Sequence, residues 1–408
     1  MKKQVLKKYA QLLVEKGVAI QKGQELNIYI AIDQEPLAKE LVTAAYKAGA
    51  SRVNVEWTSD AITKINYRYR TVSSLAKYED WELARLQHRV DTLPARLYIL
   101  SSDPDALKGV NQKKVAKARM KSYPIIKPYV DKIDNKEQWC IAGAASAAWA
   151  KKVFPGLKKK QAVEKLWDAI LETSRITDDP IREWERHNKN LAERCAYLNS
   201  LQLRSLHYEA ANGTDFTVGL LADAIWMGGS EATQGSNIVF NPNIPSEEVF
   251  TTPQKGVASG VVYASKPLSY QGQLIEDFSI TFKDGKAVEV HAAKNEELLK
   301  QMIAMDENAA YLGECALIPF DSPINNTGIL FLQTLYDENA SCHLALGRGF
   351  SNVIKDYQNY TQQELQDKGI NDSMIHVDFM IGTADMKITG TDVNGKEIAI
   401  FENGNWAF

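Results

Sequence analysis

The chain has 408 residues, 45% of them apolar and 24% charged, with a formal net charge of −3 and a pI near 6.2. That length predicts two or three domains rather than one core, and the composition is ordinary for a globular protein. The near-neutral charge gives no electrostatic reason for a nucleic-acid or membrane partner, and no apolar run approaches the ~20 residues that span a bilayer.

The basic start, Met1 to Lys8, is not followed by the apolar core of a signal peptide. Val5, Leu6, Tyr9, Leu12, Leu13 and Val14 instead recur at helical spacing. They predict an amphipathic helix over 2–17 and a cytoplasmic protein. Glu25 to Ala31 reads as a buried strand, 35–48 as a helix ending at Gly49, and Arg52 to Trp57 as the next strand. Leu97 to Leu100 and Trp139 to Ala142 repeat the theme. This alternation predicts an α/β N-terminal domain with an open, mostly parallel sheet. Helices are expected over 158–173 and 180–198, the second opened by Asp178-Asp179-Pro180.

From about residue 199 short alternating runs are broken by Asn212-Gly213, Asp284-Gly285, Asn394-Gly395 and Asn403-Gly404. They predict hairpins of a mostly antiparallel twisted sheet in an α+β C-terminal domain, with helices at 294–305 and 327–338. The expected division is 1–190 for the α/β domain and 191–408 for a metal-binding catalytic domain. Cys140, Cys195, Cys315 and Cys342 are scattered without a CxxC pair, which fits buried free thiols.

Nucleotide fingerprints are missing: there is no GxGxxG after the first strand and no GxxxxGK[ST]. GxSxG is missing too. Glu183-Trp-Glu-Arg-His187 lacks the first His of HExxH and is read as a solvated helix face.

The chemistry concentrates further along. His376-Val-Asp378 lies in the apolar run Met374 to Gly382, where residues two apart share a strand face. A carboxylate placed there is costly unless paired or bound to a cation. Glu314 sits alone in the apolar strand Leu312 to Ile318. Glu338 and His343 are five apart, so only a turn after the preceding helix would bring them together. Glu247-Glu248 lies between Pro245 and Pro253. If Glu248, Glu314, Glu338, His343, His376 and Asp378 converge, four carboxylates share one pocket. Two like charges ~5 Å apart repel by about 3 kcal/mol at an effective dielectric of 20. Two divalent cations would neutralise the set, and the mixed oxygen and nitrogen donors suit Zn, Co, Mn or Mg.

The ordered motifs NIPSEEVFTTP, LGECALIP, YDENASCHLALG and HVDFMIGT resemble those of the aminopeptidase T / aminopeptidase S (PepS-like) metallo-aminopeptidases. The resemblance runs over the whole chain. It implies metal ligation by Glu248, Glu314, His343, His376 and Asp378, with Glu338 matching a further ligand. It also implies a homodimer enclosing its active sites and acting on short peptides with a free N-terminus. Many relatives carry a Tyr seven residues after the His of the third motif; Phe350 stands here, with Arg348 and Tyr336 as candidate substitutes.

The expected reaction is removal of the N-terminal residue by metal-activated water, with Glu314 and Asp378 bridging the two ions and Glu314 orienting the water. Glu247 is an optional general base. The rival readings are another two-metal amidohydrolase and a non-enzymatic small-ligand-binding protein.

Overall fold

The structure, a computed structural model, describes residues 3–408. The helix expected over 2–17 begins at Lys3, its residue 2 lying outside the described part, and passes at Leu13–Gly17 into a wider π-helical turn. Tyr9, Leu12, Leu13 and Val14 are fully buried, as the apolar spacing requires.

The chain divides into two compact units, Met1–His187 with Ser230–Pro245, and Asn188–Gly229 with Ser246–Phe408. In the first, β1 (Glu25–Ala31), β2 (Arg52–Thr58), β3 (Ala95–Leu100), β4 (Trp139–Gly143) and β5 (Asn243–Ile244) form one parallel sheet in the order β2-β1-β3-β4-β5. Open sheets of this kind take ligands where the strand order reverses, here beyond β1 and β3. At that position buried Gln34 donates from Nε2 to Ser101 Oγ at 3.0 Å and to the Ala145 carbonyl at 3.2 Å. The expected helices are present as Glu35–Lys47, Lys159–Thr173 and Pro180–Leu201. His187 departs from the solvated face expected of it: it is buried, with its ring edge-on to Trp184 at 5.5 Å.

The second unit holds two antiparallel sheets. The larger runs through Leu268–Tyr270, Gln273–Lys283, Pro253–Tyr263, Asp215–Leu220, Leu203–Glu209, Lys387–Asp392, Glu397–Glu402 and Asn405–Trp406. Lys286–Lys294 pairs with Gln273–Lys283 through the turn Asp284-Gly285, whose φ angles of 51° and 77° match the twist of a tight hairpin. The smaller sheet has β6 (Val249–Thr251), β7 (Leu312–Leu317), β8 (His343–Gly347) and β9 (His376–Met380) in that order.

One expected element is corrected. The helix anticipated over 327–338 is only Thr334–Glu338, after a short turn of helix at Pro323–Asn326. Gly328 and Leu332 take φ of 64° and 59°, which no right-handed helix accommodates. The Asp337 carboxylate then accepts the Phe331 and Gln333 amides at 2.7 and 3.0 Å, capping the shortened helix. The counterpart at 294–305 is present as Glu296–Ile303. Among the described residues no helix is long and apolar enough to cross a membrane.

Candidate metal centre

Strand alternation sorts the smaller sheet into two faces. Cys315, Leu317, Leu344, Leu346, Val377 and Phe379 point into the core that this sheet shares with the larger one. Glu314, Ala316, His343, Ala345, His376 and Asp378 share the other face. The register is direct: Ala345 of β8 lies opposite Glu314 of β7 and Asp378 of β9, while His343 lies opposite Ala316 and Met380. The small Ala345 methyl therefore leaves open space between two carboxylates. Glu248 enters from just before β6.

The six acids and imidazoles singled out from the sequence lie together. His343 Nε2 is 3.5 Å from Glu248 Oε2 and 4.0 Å from Glu314 Oε1. His376 Nε2 is 3.1 Å from Glu314 Oε2 and 3.1 Å from Asp378 Oδ1. Two overlapping sets follow, Glu248–Glu314–His343 and Glu314–His376–Asp378, each with its donor atoms within 4.8 Å of one another. Glu314 belongs to both. Glu338 lies in neither set, but the charges of Asp378, Glu248 and Glu314 all act on its buried carboxyl. All four carboxylates and His343 are at most 9% exposed, whereas the His376 side chain is 28% exposed.

Both rings are oriented by backbone. His343 Nδ1 lies 2.9 Å from the Glu338 carbonyl, and His376 Nδ1 lies 2.7 Å from the Arg348 carbonyl. An Nδ1–H donated to a carbonyl leaves Nε2 with its lone pair turned toward the carboxylates, the arrangement a metal-ligating histidine needs. The turn at Asn339 makes the first of these contacts. Buried Asn339 donates to the Leu335 carbonyl at 2.9 Å, and its Oδ1 accepts the Glu247 amide at 2.7 Å. It thereby ties the end of the short helix to the loop carrying Glu248.

The electrostatics fit a cation site. Burial, then the charges of Asp378, Glu248 and Glu314, push the Glu338 carboxyl well above the usual carboxylate range. Burial alone would lower the His376 pKa, but Asp378 and Glu314 outweigh it and hold the imidazole well above its ordinary value. Burial would raise Asp378, and the His376 charge reverses that, leaving the carboxyl low. Without cations the cluster limits its negative charge by keeping protons; two divalent ions would replace them. The oxygen and imidazole donors match such ions and include no thiolate, since Cys315 points to the opposite face and Cys342 bonds the Ile318 carbonyl.

The three residues considered in place of the missing tyrosine have definite positions. Phe350 lies beside the site, its ring 5.0 Å from that of His376 and 5.2 Å from that of Phe250. Tyr336 is fully buried and stacked on Phe331 at 4.7 Å. Arg348 contributes its carbonyl to His376. Two contributors carry no local signal in the sequence. Asn339 acts on residue 247, and Gly313 leaves room for residue 348: a Cβ at Gly313 would collide with the Arg348 carbonyl.

Comparison with known proteins agrees with this geometry. The chain is 41% identical to aminopeptidase AmpS of Bacillus subtilis (strain 168), covering 99% of both chains. It is also 41% identical to aminopeptidase 2 of Geobacillus stearothermophilus, over 99% of this chain and 98% of that one. The solved structure of wild-type AmpT from Thermus thermophilus superimposes with a TM-score of 0.89 at 36% identity, covering 100% of each chain. Residues 2–406 match the family described as thermophilic metalloprotease (M29), and the chain belongs to that family.

Proposed function

We propose that this metalloprotease is a dinuclear metal-dependent aminopeptidase, releasing N-terminal residues from short peptides. The observation that carries this reading is Glu314, whose two oxygens face different histidines and so join two ligand sets. Glu248 and His343 complete one set, His376 and Asp378 the other, with Glu338 alongside. Two divalent ions bound there supply Lewis-acid polarisation of the scissile carbonyl and a water of lowered pKa.

The protein's own part is positional. The Glu338 and Arg348 carbonyls hold both imidazoles with Nε2 presented, and Glu314, shared by the two sets, would orient a metal-activated water. Phe250 and Phe350 make one wall apolar, which strengthens the electrostatic interactions inside. The neutral amine of a free peptide N-terminus would offer its lone pair to one of those ions or a hydrogen bond to a nearby carboxylate; an acylated terminus has no such lone pair to offer.

The same reading makes the enzyme a cytoplasmic homodimer. Support for the reducing compartment comes from the four cysteines, all buried and free of disulfides. The whole-length similarity to the named aminopeptidases supports the substrate class.

The test compares leucine p-nitroanilide with its N-acetylated form, before and after chelation. Metal-dependent cleavage of the free amine alone is expected. Equal cleavage of both would make the protein a different two-metal amidohydrolase, and metal-independent cleavage of either would remove the metal centre from the reaction.

A further inference from the structure

The parallel sheet carries a second polar site. Parallel strands are ordinarily covered on both faces and apolar, yet one face of β1 and β2 presents Glu25, Asn27 and Tyr29 beside Arg52, Asn54 and Glu56. The helix Asp80–Thr92 runs over that face without burying one of its own residues. It is held by charge instead. Arg85 pairs with Glu56 at 3.0 Å, His88 with Glu25 at 3.1 Å, and Arg89 with the buried Glu137, which Arg96 also meets at 2.6 Å. Between helix and sheet remains a cavity of about 310 Å³ lined by the six strand residues with Arg85, Leu86, His88 and Arg89 of the helix. A helix seated by ion pairs around an open cavity forgoes the apolar contact that normally fixes a helix on a sheet.

The lining specifies a ligand. Arg52 lines the cavity and has no acidic partner among the described residues, whereas both lining carboxylates have basic ones. Arg85 and Arg89 are each met by a carboxylate, Glu56 and the buried Glu137, so Arg52 is the lining guanidinium left over and the cavity favours a single anionic group beside it. Glu25 and Glu56 each use one oxygen, Oε2, in their pairs with His88 and Arg85, so their other oxygens can accept an ammonium while their charge repels a dianion such as phosphate. On the floor Asn54 Nδ2 donates to Asn27 Oδ1 at 2.9 Å, which leaves one amide oxygen and one amide nitrogen side by side. Tyr29 stacks on Tyr98 at 4.7 Å and makes the floor rigid. One anionic group, a cation acceptor, and a paired donor and acceptor match the zwitterion of an α-amino acid, and the volume suits a small ligand.

We infer that this cavity is a second ligand site, remote in sequence from the metal cluster, that binds a free α-amino acid with its carboxylate on Arg52 and its ammonium on the Glu25–Glu56 side. The supply of that ligand rests on the aminopeptidase reading, since every turnover would release one amino acid; the lining itself does not depend on it.

Equilibrium dialysis of metal-loaded enzyme against labelled glycine, leucine, glutamate and lysine tests the inference, with leucinamide and inorganic phosphate as controls. At least one amino acid should bind at a site that Arg52→Ser and Asn54→Leu each weaken tenfold or more. Both variants should keep kcat/KM on leucine p-nitroanilide unchanged. Arg52 is exposed and has no acidic partner among the described residues, so its replacement spares the fold, and circular dichroism checks both. Binding of every amino acid unaffected by either substitution would overturn the inference, as would phosphate or leucinamide binding this site more tightly than the amino acids. Neither result would touch the peptidase reading, which the p-nitroanilide comparison decides.

Discussion

The Arg348 carbonyl and the His376 ring are held 2.7 Å apart because residue 313 has no side chain. Gly313 lies on β7 just before Glu314, and a methyl there would meet the Arg348 carbonyl, its carbon and the Gly347 oxygen. Gly313→Ala should displace the carbonyl that fixes the His376 tautomer. Disturbing such an outer partner costs about 10–100-fold in metal affinity. The loss should fall on the His376–Asp378 set, so titration with Zn should show one tight and one weakened site. Two sites of unchanged affinity would mean that the carbonyl contact is incidental.

Glu314→Gln should separate charge from ligation. In metal-free protein it removes one of four clustered carboxylates but also the charge that pairs with His376, so the two effects oppose and the apo form should melt close to wild type. Neighbouring like charges repel by about 3 kcal/mol at ~5 Å, and proton uptake by Glu338 reduces the gain below that. With metal present the variant should melt clearly lower than wild type, since the shared ligand is gone, and peptidase activity should fall at least a hundredfold. Calorimetry with and without chelator reads both shifts. A variant destabilised equally with and without metal would show that Glu314 supports the fold rather than ligates the ions.

Metal removal should lower both activity and melting temperature. A ligand that binds only the folded state stabilises it by about 2.7 kcal/mol per site at a hundredfold excess over its Kd. Chelated protein should therefore melt several degrees lower and regain both properties with Zn, Co or Mn. Full activity after dialysis against chelator, with no metal left by elemental analysis, would refute the mechanism.

Strands are the most legible elements in the sequence because their apolar runs are contiguous: Glu25–Ala31 and Trp139–Gly143 lie where the pattern puts them. β5 is not legible, since two residues paired to β4 from far along the chain leave no periodicity. The 327–338 region misleads for a related reason. Its apolar spacing suits a helix, and only the backbone at Gly328 and Leu332 reveals that the chain instead folds onto the Asp337 carboxylate. Within the site, acids in apolar strands announce themselves through the cost of burying charge. Asn339 and Gly313 do not, because what they do is defined only by a partner distant in the chain: the amide of Glu247 for one, the carbonyl of Arg348 for the other.

Thiol chemistry tests the burial of the cores of both units. Cys140, Cys195, Cys315 and Cys342 are all buried, and burial pushes the Cys195 thiol up to about 12. Native enzyme at pH 8 should react negligibly with a thiol-specific disulfide reagent, and four thiols per chain should appear on unfolding. Rapid reaction of one thiol in the folded state would show that the core around it opens.

Asp337 offers the sharpest test of the short helix that precedes the metal-facing turn. Its carboxyl is buried, and burial raises its pKa to about 7 despite the amides of Phe331 and Gln333 that it accepts. Asp337→Ala leaves two amide hydrogens without acceptors, each costing about 1–3 kcal/mol when buried, so urea unfolding should show a loss of about 2–6 kcal/mol. Asp337→Asn keeps one acceptor oxygen and should lose about half as much. Because Glu338 is the next residue and its carbonyl holds His343, the alanine variant should also bind metal less tightly at the His343 set. An alanine variant as stable as wild type would mean that the chain around 331–338 is held by the Phe331–Tyr336 stack rather than by this carboxylate.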